Sequence, residues 1–273
     1  MKIKSLLMMA VLAAATIITG CGGQDGANGG GNANSGKKIV VGLDDEFPPM
    51  GFRDENNEIT GFDVDLAKEA AKRLGREVEF KGIDWSSKEA ELKSGRVDVL
   101  WNGLDITPER QENMLFSKPY MENRQIVFVR HSETPPSIKD EASLAGLTVG
   151  TQSASTSEEY FNSNDKLKNS LADFKTYGDF TSAFMDLENG RLDAVVGDEI
   201  VGRYYMSKHP DKIDALSVII GPISQFGIGF RKDDTALRDE VQKTFDEMVK
   251  DGAAGKISEQ WFGKDLVTRS ENS

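Results

Sequence analysis

Val97-Asp98-Val99-Leu100-Trp101-Asn102-Gly103-Leu104-Asp105-Ile106-Thr107-Pro108-Glu109-Arg110 is the stretch that organises the chain. Its apolar first half has the continuous hydrophobicity of a buried strand and breaks at Asn102-Gly103. A helix start follows, with Thr107 as N-cap and Pro108 in the first helical position. Arg110 then falls near N3, where a cation opposes the positive end of the helix dipole. Two readings stay open from these residues. Arg110 is either a solvated surface charge or half of an anion site made with free N–H groups beside a strand end.

Residues 91–103, ELKSGRVDVLWNG, have an echo in residues 186–198, DLENGRLDAVVGD. At one constant offset Leu92 matches Leu187, Gly95 matches Gly190, Arg96 matches Arg191 and Asp98 matches Asp193. Each copy reads as a helix end, a glycine in the C′ position and an apolar strand. Such a unit is common in α/β proteins, so coincidence is the alternative. As a true repeat it predicts two similar lobes, presenting residues 102–105 and 197–199 at strand ends. Ligands of open α/β sheets bind outside the carboxyl ends of strands, so two facing ends form a cleft.

Residues 1–20 carry Lys2 and Lys4 and then an apolar run, the pattern of a secretory signal peptide. The run is short for a membrane span, although an uncleaved anchor is the alternative. Ile18-Thr19-Gly20-Cys21 resembles the lipobox of bacterial lipoproteins, which implies lipidation of Cys21 and anchoring to the cell membrane outside the cytoplasm. Cys21 is the one cysteine, so no intrachain disulfide forms. Residues 21–37 then read as the lipidated Cys and a Gly/Asn-rich flexible tether. Loss of Lys2 and Lys4 with the signal takes the net charge from −12 to −14. A chain this acidic is a poor partner for nucleic acid or for polybasic docking to a membrane.

The rest of the chain suffices for one large domain or two lobes. A strand at 38–43 runs into Asp44-Asp45-Glu46-Phe47-Pro48-Pro49-Met50, an acidic loop whose aromatic is suited to covering an apolar part of a ligand. Asp63 is the expected N-cap of a helix that ends at Gly75, with Leu66, Ala70 and Leu74 on its buried stripe. Ser86 and Glu89 fit a capping box, and Trp85 either staples that helix to the core or looks into the cleft. Ser155 and Glu158 fit a second box, in a hydroxyl-rich loop whose helix N-terminus offers N–H donors to an anion. Asp179 and Asp234 are expected to cap later helices, and apolar segments are expected at 218–221 and 227–230. The two histidines, His131 and His209, read as surface residues, and no metal cluster, cofactor loop or catalytic triad is legible.

Gly61-Phe62-Asp63-Val64-Asp65-Leu66 resembles the signature of the polar amino acid-binding proteins of bacterial ABC importers. The resemblance extends over nearly all of residues 38–265 and takes in Asn102-Gly103, residues 106–110, 190–198 and 227–230, and Trp261-Phe262-Gly263. It implies an α/β type II periplasmic-binding fold: two lobes, each a central mixed sheet flanked by helices, joined by two hinge crossovers. Lobe 1 is expected at 38–124 and 225–265, lobe 2 at 125–224, and a tail at 266–273. The implied function is a substrate-binding lipoprotein, a monomer without cofactor, that delivers an amino acid to the permease and ATPase subunits of an importer.

By the same resemblance Arg110 pairs with the ligand α-carboxylate, in a site finished by the loop of Ser155 and Thr156. Asp198 takes the ammonium with help from the Gly103 carbonyl, Phe47 and Trp85 line the side-chain pocket, and Asp44 is a pocket acid. Two departures bear on the ligand. Asp105 stands where Ser or Thr is usual, which puts two carboxylates near one cation and favours a polar or cationic ligand. Gln152, and Ala154 in place of a glycine, also differ from many relatives. The alternative is an enzyme of the same fold that dehydrates prephenate or arogenate, with Glu199 as general acid.

Overall fold

The structure is a computed structural model that describes residues 38–132 and 136–268. The signal peptide, Cys21 and the tether expected from the sequence lie outside the described residues. From Lys38 the chain forms β1 (Ile39–Leu43), a small antiparallel sheet of β2 (Glu46–Phe47), β3 (Gly51–Arg53) and β4 (Ile59–Thr60), helix α1 (Phe62–Arg73) and β5 (Val78–Gly82). A 3-10 turn leads to α2 (Lys88–Lys93), followed by β6 (Val99–Asp105), α3 (Pro108–Asn113), β7 (Met114–Phe116) and β8 (Met121–Asn123). Next come β9 (Gln125–Arg130), β10 (Thr148–Gln152), α4 (Thr156–Ser163), α5 (Asp165–Ser170) and β11 (Asp173–Tyr177). Helix α6 (Phe180–Glu188), β12 (Ala194–Asp198), α7 (Glu199–Lys208) and β13 (Ile213–Ile219) complete that half. The chain ends with β14 (Ser224–Arg231), α8 (Thr235–Lys250) and α9 (Ala253–Phe262).

Two mixed sheets result. One has the order β5-β1-β6-β14-β7, with β8 also on β14; the other has the order β11-β10-β12-β9-β13. In each, three parallel strands meet an antiparallel one, β14 beside β6 and β9 beside β12. Every residue of β6 and of β12 is buried, which explains their unbroken apolar character. The chain crosses between sheets twice, through Arg124 and through residues 220–223. Asn123 and Ser224 are register partners, so the two crossovers run side by side.

The repeat has a structural cause. Gly95 and Gly190 adopt φ of 74° and 71° just after helices α2 and α6, a left-handed turn that glycine makes at little cost. Asp98 N–H then donates to Val40 O while the Asp98 carboxylate accepts from Val40 N–H. Asp193 makes the same reciprocal pair with Thr148 in the second sheet. These pairs set the register of β6 against β1 and of β12 against β10.

Three local expectations change. Helix α1 begins at Phe62 with Gly61 as N-cap, so Asp63 lies inside the first turn, fully buried, and does not cap. Ser86 and Glu89 form no capping box, because Asp84 accepts from Ser86 N–H and caps the 3-10 turn instead. Strand β14 starts at Ser224, three residues before the apolar run, because pairing with β8 and β6 extends it into polar sequence. Thr107, Ser155, Asp179 and Asp234 cap as expected. Both histidines are exposed, His131 against Asp214 and His209 stacked on Tyr205. Among the described residues no helix is long and apolar enough to cross a membrane.

The register pairs differ in one partner, because Asp98 also receives Arg231 Nη2 at 3.0 Å. Asp98→Ala is therefore expected to cost about 2 kcal/mol and Asp193→Ala about 1 kcal/mol. Urea unfolding of the two variants checks the order, and equal losses would remove Arg231 from the account.

Candidate functional site

Strands β6 and β12 each end in an aspartate at the carboxyl edge of their sheet. Asp105 and Asp198 are both buried. The amide of Asn123 donates to both carboxylates, at 3.1 Å to Asp105 Oδ1 and in a shorter contact to Asp198 Oδ1. Gln125 Nε2 donates to Asp198 Oδ1 at 2.8 Å. Asp105 also accepts from Ser224 Oγ and from Thr156 Oγ1, each at 2.6 Å. Burial raises both acids, and the Asp105 charge helps to push Asp198 up to about 7. Asn123, Gln125 and Ser224 escaped the sequence reading. Their one signal is polar residues placed where apolar strands begin and end.

Arg110 is 2% exposed, which rules out the solvated-surface reading. The Thr107 hydroxyl accepts from Arg110 N–H at 3.2 Å and fixes the first turn of α3. The guanidinium then bridges the lobes: Nη1 donates to Asp105 O at 3.1 Å and Nη2 to Ala154 O at 3.2 Å. Its Nε and Nη2 both donate to Glu159 Oε1, at 3.1 and 2.8 Å. Glu159 was not foreseen, since it sits one residue past an ordinary capping pattern.

The facing loop is held from below. Ala154 has a left-handed φ of 55°, and its N–H donates to Glu158, so the expected box is displaced by one residue. Ser155 Oγ accepts from Glu158 N–H at 3.1 Å. Gln152 Nε2 donates to Asp44 Oδ2 at 2.6 Å and to Gly178 O at 3.0 Å. Burial raises Asp44 to about 7 despite the bonds from Glu46 N–H and Gln152.

Phe47 and Trp85 are buried walls, so Trp85 belongs both to the core and to the cleft. Gly103 has φ of 53°, and a Cβ there would lie 2.7 Å from the Phe47 ring. Its N–H donates to Asp63 Oδ2 at 2.7 Å, and Tyr120 Oη donates to the same oxygen at 2.8 Å. Burial raises Asp63 to about 7, and these bonds oppose the rise. Asp63, expected as a helix cap, is thus the brace beneath Gly103.

Phe47, Trp85, Gly103, Asp105, Arg110, Ser155, Thr156 and Asp198 line one cavity of about 10 Å³. Asp44 is not part of that lining; Gln152, its partner, takes the place. Glu199 lies outside, ion-paired with Arg124 at 2.9 Å and Arg203 at 2.6 Å. Among the described residues no group of side chains is arranged to hold a metal.

Arg110 and the Asp105–Asp198 pair thus line one cavity without bonding to each other through their charged groups. The sequence model of bacterial extracellular solute-binding proteins, family 3, matches residues 39–264. The chain belongs to this family. As a family 3 protein it is 32% identical over 235 residues to the ABC transporter arginine-binding protein 1 of Escherichia coli, covering 84% of this chain and 93% of that one. An ABC uptake transporter substrate-binding protein from Streptococcus pneumoniae with bound histidine superposes with a TM-score of 0.80 at 34% identity, covering 85% and 95% of the two chains. An ancestral arginine-binding protein bound to arginine gives 0.77 at 38% identity, covering 83% and 98%. The fold is the two-lobed type II periplasmic-binding fold. These relatives are solute-binding proteins of ABC transporters, not enzymes, which sets the dehydratase alternative aside.

An acid whose folded pKa is raised loses stability as pH climbs from its unfolded value through the folded one. Asp198, moving from 3.8 to about 7, therefore weakens the fold at pH 8 but not at pH 4. Asp198→Asn is expected to raise the melting midpoint by about 2–4 °C at pH 8 and to leave it nearly unchanged at pH 4. A lower midpoint at pH 8 would show that the carboxylate is net stabilising.

Proposed function

We propose that the chain is the lipid-anchored binding component of an ABC importer, capturing a polar or cationic L-amino acid between its lobes. Lipidated Cys21 and the tether hold it at the outer face of the cell membrane as a monomer, from which it hands its ligand to the permease and ATPase subunits. The observation that carries the reading is the juxtaposition, around one cavity, of the Arg110 fork with the Asp105–Asp198 pair. A zwitterion leaving water needs a fixed partner for each charge, and this cleft supplies both.

Arg110 takes the α-carboxylate. Four of its N–H groups already have acceptors, two of them on Glu159, so the half-exposed Glu159 side chain swings out to make room. Asp198 and Asp105 take the ammonium, and Phe47 and Trp85 flank the side chain. Two carboxylates exceed what one ammonium neutralises, and with Asp44 behind Gln152 this favours a ligand with a second positive charge. Relatives that bind arginine and histidine point the same way.

A cavity of about 10 Å³ is too small for an amino acid, so entry requires the lobes to part about the crossovers. The ligand then favours closure through its differential affinity for the closed form.

A thermal-shift panel of the twenty amino acids, on protein stripped of copurified ligand, tests the class. Arginine or another cationic amino acid is expected to give the largest rise, and silence across the panel would end the reading. Arg110→Ala is expected to weaken binding roughly a hundredfold or more in calorimetry; retained affinity would remove the carboxylate role.

The acid pair also predicts a pH profile. Below about 7 Asp198 is protonated in the free cleft and cannot pair with an ammonium. Affinity for arginine is therefore expected to rise about tenfold from pH 6 to pH 8, with proton release below 7. Calorimetry at the two pH values checks this, and a flat profile would exclude the pair as the ammonium partner.

A further inference from the structure

Lys88, the first residue of α2, is a buried charge that the binding scheme does not use. It is 3% exposed, and its Nζ donates to two backbone carbonyls, Ala154 O at 2.9 Å and Trp85 O at 3.4 Å. Trp85 lies in its own lobe, with the ring centroid 5.1 Å from the ammonium. Ala154 lies in the other lobe and also accepts from Arg110 Nη2 at 3.2 Å. Two cations bound to one oxygen lie within about 6 Å of each other, where like charges repel strongly in a dry cleft.

The two cations are not equally compensated. Arg110 has the Glu159 carboxylate, whereas Lys88 is held by neutral carbonyls. Burial, and then Arg110, hold Lys88 down to about 8, with Glu159, Glu89 and Glu158 opposing the shift. An ammonium buried on carbonyls alone costs free energy that an apolar side chain would not. Because Ala154 belongs to the opposite lobe, Lys88 meets that cost when the lobes come together.

We propose that Lys88 is a specificity-determining residue, forming with Arg110 a two-cation end that makes lobe closure depend on an anionic group in the ligand. This rests on the amino acid reading of the cleft and deepens it. Because Arg110 gives up the Glu159 carboxylate to take the ligand's, its own preference for an acid over its amide is partly offset. Lys88 adds a positive charge whose hydrogen-bond partners are neutral carbonyls, and an anion carried in by the ligand offsets it. Lys88 lies outside the cavity lining, so its compact charge acts on the ligand carboxylate across the Ala154 carbonyl it shares with Arg110, without direct contact.

The test compares L-arginine with L-argininamide, which keeps the ammonium and side chain but has a neutral carboxamide. Calorimetry on the full chain gives the ratio of the two affinities for the wild type, Lys88→Met and Lys88→Arg. The wild type is expected to prefer arginine, and Lys88→Met to narrow that preference by about tenfold. Lys88→Arg, which keeps the charge, is expected to restore most of it. The ligand-free melting midpoint of Lys88→Met is expected to equal or exceed that of the wild type. An unchanged ratio in Lys88→Met overturns the proposal, as does an equal loss of both ligands with a lowered midpoint. If the wild type binds neither compound, the same ratio is taken for the amino acid giving the largest rise in the thermal-shift panel and its amide; silence across that panel ends the amino acid reading and this inference with it, and an altered ratio sustains both.

Discussion

The side-chain amide of Asn123 stands between two buried carboxylates, and much of the cleft depends on that arrangement. Asp105 and Asp198 come from different sheets, and neither has a cation bonded to it. Amide and hydroxyl donors solvate them in place of water, which keeps the acids buried without neutralising them. Arg110 serves the opposite need, with its donors directed at carbonyls and a carboxylate rather than at the acid pair. Separation of opposite charges within one small cavity is unfavourable for an isolated protein and suited to a zwitterionic guest. Stability is given up at the proposed binding cleft.

The architecture was legible because it repeats. Leu92, Gly95, Asp98 and their counterparts Leu187, Gly190, Asp193 are constrained by the same local physics, so their spacing survives in one chain without any alignment. Caps at Thr107, Ser155, Asp179 and Asp234 were readable for a similar reason: each serves N–H groups three residues away. Arg110 was less so. Its residues alone allowed a surface charge, and only burial against Ala154 and Glu159 decides the matter.

What escaped was long-range. Asn123, Gln125 and Ser224 acquire their roles from contacts up to 119 residues away, and nothing in their neighbours announces this. Asp63 misled because an acid at a helix start usually caps; here Gly61 takes that position and frees the carboxylate to reach Gly103 and Tyr120. Lys88 occupies an ordinary helical position by sequence. Its burial follows from the approach of the Ala154 loop, which belongs to a separate part of the chain.

Arg124 is the one residue between β8 and β9, and residues 220–223 alone separate β13 from β14, with Asn123 and Ser224 paired across them. Two short strand connections lying side by side resist sliding and shear far more than rotation about their common line. Asn123 and Ser224 also hold Asp105, so the axle and the acid end of the cleft are one piece. Arg110 and Lys88 grip the far lobe through the Ala154 carbonyl. In the proposed capture of a ligand, the cationic end is the latch between the lobes and the acid end sits beside the pivot.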